Sequence, residues 1–159
     1  WERIAGDAEV SYIDVENMDS QESEDIAEVG AYREISTCFG IPIVRLGYKP
    51  EEMELIRYTL DDEQEKAYLF YEYNGEMVKY SVYMNDTDSS FGQKELDKLS
   101  QEYEIDNGNI KINVEEFSIN NSKNKRYIAE FEYRDIHYQL KGVMIRSEFD
   151  EILKKLIFI

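Results

Sequence analysis

Residues 54–84, ELIRYTLDDEQEKAYLFYEYNGEMVKYSVYM, decide the fold. They contain three runs rich in tyrosine and aliphatic residues, 54–60, 66–73 and 76–84, separated by the acidic turn 61–65 and by Asn74-Gly75. Asn-Gly between two such runs is a strong short-range hairpin signal, because both central residues of a type I′ turn need positive φ. In the third run Val78, Tyr80, Val82 and Met84 share one face while Lys79 and Ser81 share the other, the period of a strand with one wet side. The stretch predicts an antiparallel β-meander.

Further along, a second Asn-Gly, Asn107-Gly108, joins runs 103–105 and 110–114. Runs 126–133 and 136–142 alternate around a turn at Arg134-Asp135. Between the two groups, residues 85–92 read as a loop. Ser90 and Gln93 then form a capping-box pattern that predicts a short helix bearing Leu96, Leu99 and Tyr103. At the end of the chain Ser147 and Asp150 resemble a capping box, and Phe149, Ile152, Leu153, Leu156 and Ile157 make a helical stripe that needs a sheet to cover it. Towards the start, Ile26, Val29, Tyr32 and Ile35 recur at near-helical spacing up to Phe39, where Gly40 and Pro42 stop the pattern, so a helix is expected over 22–39. Residues 14–25, DVENMDSQESED, are polar and acidic, and residues 1–25 are expected to be a flexible lead-in to a single domain over 26–159. Grouped strands with helices at either end predict an α+β fold, an antiparallel β-meander sheet with an N-terminal and a C-terminal helix packed on it.

Apolar residues make up 42% of the 159, enough for a packed core despite the charge. The net charge is −17, from 35 acids and 18 bases, and residues 1–40 carry 11 of the acids against only Arg3 and Arg33. Such a chain repels phosphate backbones and anionic lipid surfaces, which argues against nucleic acid and membrane surfaces as partners. Cys38 is the only cysteine, so no intramolecular disulfide is available. No apolar run is long enough to span a bilayer. The chain begins at Trp1 without an initiator methionine, the pattern of a piece of a longer protein, and a tryptophan there would suit the interface just outside a membrane span.

Candidate chemistry is sparse. His137 is the one histidine and reads as a sheet-surface residue beside Gln139; Cys38 ends an apolar helical stripe and reads as a core thiol. There is no GxSxG, HExxH, P-loop or GxGxxG pattern, and with 35 acids a pair of carboxylates carries no signal. Residues 86–97 offer oxygens at Asp86, Asp88, Ser90 and Asp97 in the manner of a calcium loop, but Phe91 stands where the sharp turn needs glycine. No catalytic residue, metal ligand or cofactor is therefore nominated. The tyrosines remain. Tyr68, Tyr71, Tyr73, Tyr80 and Tyr83 lie on adjacent expected strands. Alternation sends Tyr80 inward and Tyr83 outward, which makes Tyr68 and Tyr83 the candidate ligand-binding residues.

Several landmarks recur together: Ile41-Pro42 before Leu46-Gly47-Tyr48-Lys49-Pro50, the tyrosine-rich hairpin around Asn74-Gly75, and the ending Tyr138-Gln139-Leu140-Lys141-Gly142 followed by Ser147-Glu148-Phe149-Asp150-Glu151-Ile152-Leu153. Over about residues 30–157 their order resembles an uncharacterised Gram-positive family, a domain of unknown function found outside the membrane in single-span proteins, some with an anti-sigma-factor-like cytoplasmic part. This chain has Phe131 or Tyr133 where that family has a tryptophan, and Arg45 near its proline-rich turn. The resemblance implies a non-enzymatic extracytoplasmic sensor or interaction domain of a membrane-anchored protein, tethered through a span upstream of Trp1, whose partner is a protein, peptide or glycan. The alternative is a secreted glycan- or peptide-binding module that uses the tyrosine face.

Overall fold

The computed structural model describes the backbone of residues 2–5, 9–14, 21–84, 98–120 and 122–158, and the side chains of those from residue 27 onward. Two strands, β1 (Glu2–Ala5) and β2 (Glu9–Asp14), precede helix α1 (Gln21–Phe39). A short strand β3 (Arg45–Leu46) leads to the meander β4 (Met53–Asp61), β5 (Lys66–Tyr73) and β6 (Glu76–Tyr83). Four more strands follow: β7 (Lys98–Asp106), β8 (Lys111–Ser118), β9 (Lys125–Tyr133) and β10 (Ile136–Met144). Helix α2 (Arg146–Lys154) and a short β11 (Leu156–Ile157) close the chain.

Among the described residues, nine strands form one antiparallel sheet in the order β1-β2-β4-β5-β6-β10-β9-β8-β7, and β11 pairs with β3 apart from it. This is the α+β architecture expected from the sequence. The sheet is two meanders side by side. The chain leaves β6, enters the far edge as β7 and works back until β10 lies against β6, with Tyr138 opposite Val82 and Leu140 opposite Tyr80. The decisive hairpin is built as predicted: Asn74 and Gly75 have φ of 49° and 82°, and Arg134 and Asp135 make the equivalent turn at 53° and 65°. Helix α1 stops where Gly40, at φ 78°, turns its N–H back to the Ser36 carbonyl at 2.8 Å.

Both helices cover the same face of the sheet. Ala27, Ala31, Tyr32, Ile35 and Phe39 of α1 are buried there, as are Phe149, Ile152 and Leu153 of α2. They meet Leu55, Tyr58, Leu69, Tyr71, Tyr80, Ala129, Tyr138 and Leu140 in one continuous core.

Three expectations need correction. Leu99 and Tyr103 belong to strand β7, not to a helix, and β7 is an edge strand of which only Ile105 is buried; the capping pattern at Ser90 and Gln93 lies outside the described residues. Helix α2 ends at Lys154, so Leu156 and Ile157 leave the helical stripe and pair with Leu46 and Arg45. Its N-cap is Ile145, without a side-chain cap, and Asp150 instead accepts a hydrogen bond from Tyr103. Within the stretch read as a lead-in, β1 and β2 extend the sheet, Val10 to Asp14 pairing with Asp61 to Arg57 of β4. Residues 15–20 lie outside the described residues.

Candidate functional site

The five tyrosines singled out by alternation divide between the two faces of the sheet. Tyr71, Tyr73 and Tyr80 point to the helices and are buried. Their hydroxyls do structural work. Tyr71 donates to Glu28 of α1 at 2.5 Å, and Tyr58 of β4 donates to Glu34 of the same helix. Tyr73 donates to Glu148, and Tyr103 to Asp150 at 2.6 Å, so α2 is tied down in the same way. A hydroxyl buried beside a carboxylate satisfies both groups, and an ionised acceptor strengthens the bond.

A second set of hydroxyls holds the segment between α1 and β4. The Val44 N–H donates to Tyr138 at 2.9 Å, the Val44 carbonyl accepts from Tyr80 at 2.8 Å, and the Leu46 N–H donates to Tyr32 at 3.3 Å. Backbone that belongs to no long ladder is thereby satisfied inside the core. Burial, reinforced by Glu148, pushes Tyr73 up to about 12, and burial likewise pushes Tyr138 up to about 12. Tyr32, Tyr58, Tyr71, Tyr80, Tyr103 and Tyr127 are raised too, burial being the first cause in each. These tyrosines stay neutral, as donors to the carboxylates and as acceptors from the Val44 and Leu46 N–H groups.

Tyr68 and Tyr83 lie on the face opposite the helices, as alternation requires. Tyr83 is nevertheless only 1% exposed, so the expectation that it stands out in solvent is wrong. Its ring packs edge-on against Tyr68 at 5.8 Å between centroids, and the two hydroxyls are 2.8 Å apart. Tyr68 is half-buried and has Lys79 over its ring at 5.2 Å, while Lys66 lies 5.7 Å from the Tyr83 ring. Register places Arg57, Phe70, Lys79 and Lys141 in one row across β4, β5, β6 and β10. Arg57 sits 4.3 Å from the Phe70 centroid. Burial, with Lys141 directly opposite, lowers the Lys79 pKa. On the same face of β9 and β8 the sign reverses: Glu130 and Glu115 are raised, chiefly by burial, with Glu102 adding to the rise at Glu115.

On the outer face Arg57, Lys66 and Lys79 are thus set against aromatic rings, with Lys141 opposite Lys79, while Glu130 and Glu115 lie on β9 and β8. The rings hold these cations in place, and the cations can meet an anion. Sequence reasoning missed the row of cations, although Arg57, Lys66, Lys79 and Lys141 could have been found by aligning outward positions across the expected hairpins.

The nominal nucleophile and base do not meet. Cys38 is partly buried and donates to Asp62, and burial followed by the Asp62 contact pushes its thiol up to about 12, which keeps it un-ionised and unreactive at neutral pH. His137 lies on the outer face with its Nδ1 3.9 Å from Glu132. Among the described residues, no group of three or more His, Cys, Asp or Glu is placed to hold a metal ion, and the calcium-like stretch 86–97 lies outside them. Among the same residues, no helix is long and apolar enough to cross a membrane.

Among the described residues, a nine-stranded antiparallel sheet with both helices on one face, tied to it by tyrosine–carboxylate bonds, defines an α+β domain. The chain belongs to the family described as Domain of unknown function (DUF4367), whose model matches residues 43–156, from just before β3 into β11. No curated protein and no solved structure matches it.

Proposed function

We propose that the domain is a non-enzymatic, extracytoplasmic sensor or interaction module of a membrane-anchored, anti-sigma-factor-like protein of Gram-positive type, and that it meets an acidic protein or peptide segment on the basic row of the sheet face opposite its helices. The membrane attachment, compartment and lineage rest on the sequence resemblance described above. The surface rests on one observation, the row Arg57, Phe70, Lys79 and Lys141 with Tyr68 beside it, in a chain that is otherwise strongly acidic. A charge of −17 repels acidic partners at long range, but at physiological salt that field is screened beyond about 8 Å while contact pairs persist.

Binding of an Asp/Glu-rich peptide measured by fluorescence anisotropy tests the surface. Arg57→Glu and Lys79→Glu should each weaken binding by about tenfold or more with the fold intact. A neutral glycan that binds wild type and both variants equally, with no peptide binding, would replace this reading by the secreted glycan-binding one. Placement has its own test. Protease treatment of intact cells carrying the full-length protein should release the domain, and protection until lysis would reject the extracytoplasmic assignment.

A further inference from the structure

Where α1 passes the segment leading into β3, a pocket of about 170 Å³ opens to solvent. Its apolar walls come from Val29, Pro42, Ile43 and the ring of Tyr32, and its charged groups are Arg33 of α1 and Arg45 of β3. Val29 is left 38% exposed. Tyr32 is held rigidly, buried and hydrogen-bonded by the Leu46 N–H and Tyr71. The Arg45 guanidinium lies 5.3 Å from the Tyr32 centroid, and its Nε is buried without a hydrogen-bond partner among the described residues.

In a chain of 35 acids and 18 bases, two arginines share this pocket, and no described carboxylate forms an ion pair with either. A guanidinium fork fits a planar two-oxygen acceptor. The size is informative as well. A cavity of about 150 Å³ holds a benzene ring, so this one takes a single branched aliphatic or aromatic group and not a drug-sized ligand.

We infer that this pocket binds a small carboxylate bearing one short apolar group, either a free acid or the C-terminal residue of a peptide, with the carboxylate on Arg33 and Arg45 and the apolar group against Val29, Pro42, Ile43 and Tyr32. The inference is independent of the outer sheet face, since it shares no residue with it. Four of the seven residues lining the pocket come from α1, which precedes the residues matched by the family model.

The test uses the whole 159-residue chain with isovalerate and benzoate, their uncharged amides, a peptide ending in leucine, the same peptide amidated, and inorganic phosphate. Binding is read by calorimetry and by the rise in melting midpoint that a native-state ligand produces. The carboxylates should bind at least about tenfold more tightly than the amides and than phosphate, and Arg33→Ala, on the exposed side of α1, should remove about tenfold. Arg45→Met, which keeps the stem on Tyr32, should do the same. Preference for the free acids identifies a metabolite and preference for the peptide a chain terminus; either supports the carboxylate assignment. No binding by any carboxylate at millimolar concentration, equal binding by acid and amide, phosphate binding as tightly as benzoate, or full binding by folded Arg33→Ala overturns it.

Discussion

The two faces of the sheet use the same residue type in opposite ways. On the helix-covered face, tyrosine hydroxyls reach across the core to carboxylates on α1 and α2 and to the backbone of Val44 and Leu46. On the opposite face, aromatic rings lie beneath cations: Phe70 under Arg57, Tyr68 under Lys79, Tyr83 near Lys66. Tyr80 and Tyr83, three positions apart on β6, fall on either side of this divide. A high tyrosine count is therefore not in itself evidence of a binding platform; parity within the strand decides whether a ring is a strut or part of a surface. Both rings are buried, though, and the faces differ in the partners they offer more than in exposure.

The divide predicts alkaline unfolding first, the largest effect. Eight of the 13 tyrosines have folded pKa values raised above 10, with burial the leading cause. A raised pKa means that stability is fully present below the unfolded value, about 10, and is lost as pH rises beyond it towards the folded values. Phenolate absorbance from these eight should thus appear as a cooperative jump coincident with loss of circular dichroism. A single smooth titration of all the tyrosines with the fold intact would show that the helix-facing hydroxyls are not buried struts.

Substitution sharpens the contrast. Tyr80→Ala should cost about 3–5 kcal/mol in a denaturant melt, because it opens an aromatic cavity and strands the Val44 carbonyl. Tyr80→Phe isolates the second part and should cost about 1–3 kcal/mol. On the other face Tyr83→Ala should cost less, about 2–3 kcal/mol, since the cavity opens towards half-buried neighbours that can close over it. Equal losses for Tyr80→Ala and Tyr83→Ala would erase the distinction between the faces; a loss below about half a kcal/mol for Tyr83 would restore it as an outward, free ring.

Much of this fold was legible. Alternation located β4, β5, β6, β9 and β10, because each has one face in the core, and Asn74-Gly75 named its turn through backbone chemistry alone. The first part of β7 was misread because Lys98 to Glu102 of this edge strand are exposed and nothing enforces alternation there, whereas the run 103–105, which ends on the buried Ile105, was legible as a strand. The docking of β10 on β6, and not β7 on β6, leaves no local trace. The hydroxyl bonds were equally invisible, since their partners lie 36 to 94 positions away in sequence for Tyr80–Val44 and Val44–Tyr138. Of the candidate site, outward parity gave Tyr68 and Tyr83 their face, but the burial of Tyr83 depends on neighbours from other strands. The pocket between Arg33 and Arg45 joins a helix to a two-residue strand, which no periodicity links.

The smallest expected effect carries the sharpest sign. Lys79 faces Lys141 directly across two strands and is half-buried, and both burial and its like-charged neighbour lower its pKa. Like charges placed opposite each other on a sheet are destabilising, and removing one should recover about 0.2–1 kcal/mol. Lys79→Met keeps an unbranched chain over Tyr68 while discarding the charge, so it should stabilise the domain at neutral pH. The gain has a pH signature. With a folded pKa below the unfolded one, the unfolded chain binds more protons in the window between the two, so the Lys79 penalty fades as pH rises through its folded value. The difference between Lys79→Met and wild type should accordingly shrink on approaching pH 10, before tyrosine ionisation takes over. The same variant should weaken binding of the acidic peptide, the expected exchange when a strained charge is retained for contact with a partner. A variant more stable than wild type with peptide binding intact would make Lys79 a tolerated packing residue and move the contact surface away from this row; a variant less stable at every pH would show that its stem and charge on Tyr68 outweigh the repulsion from Lys141.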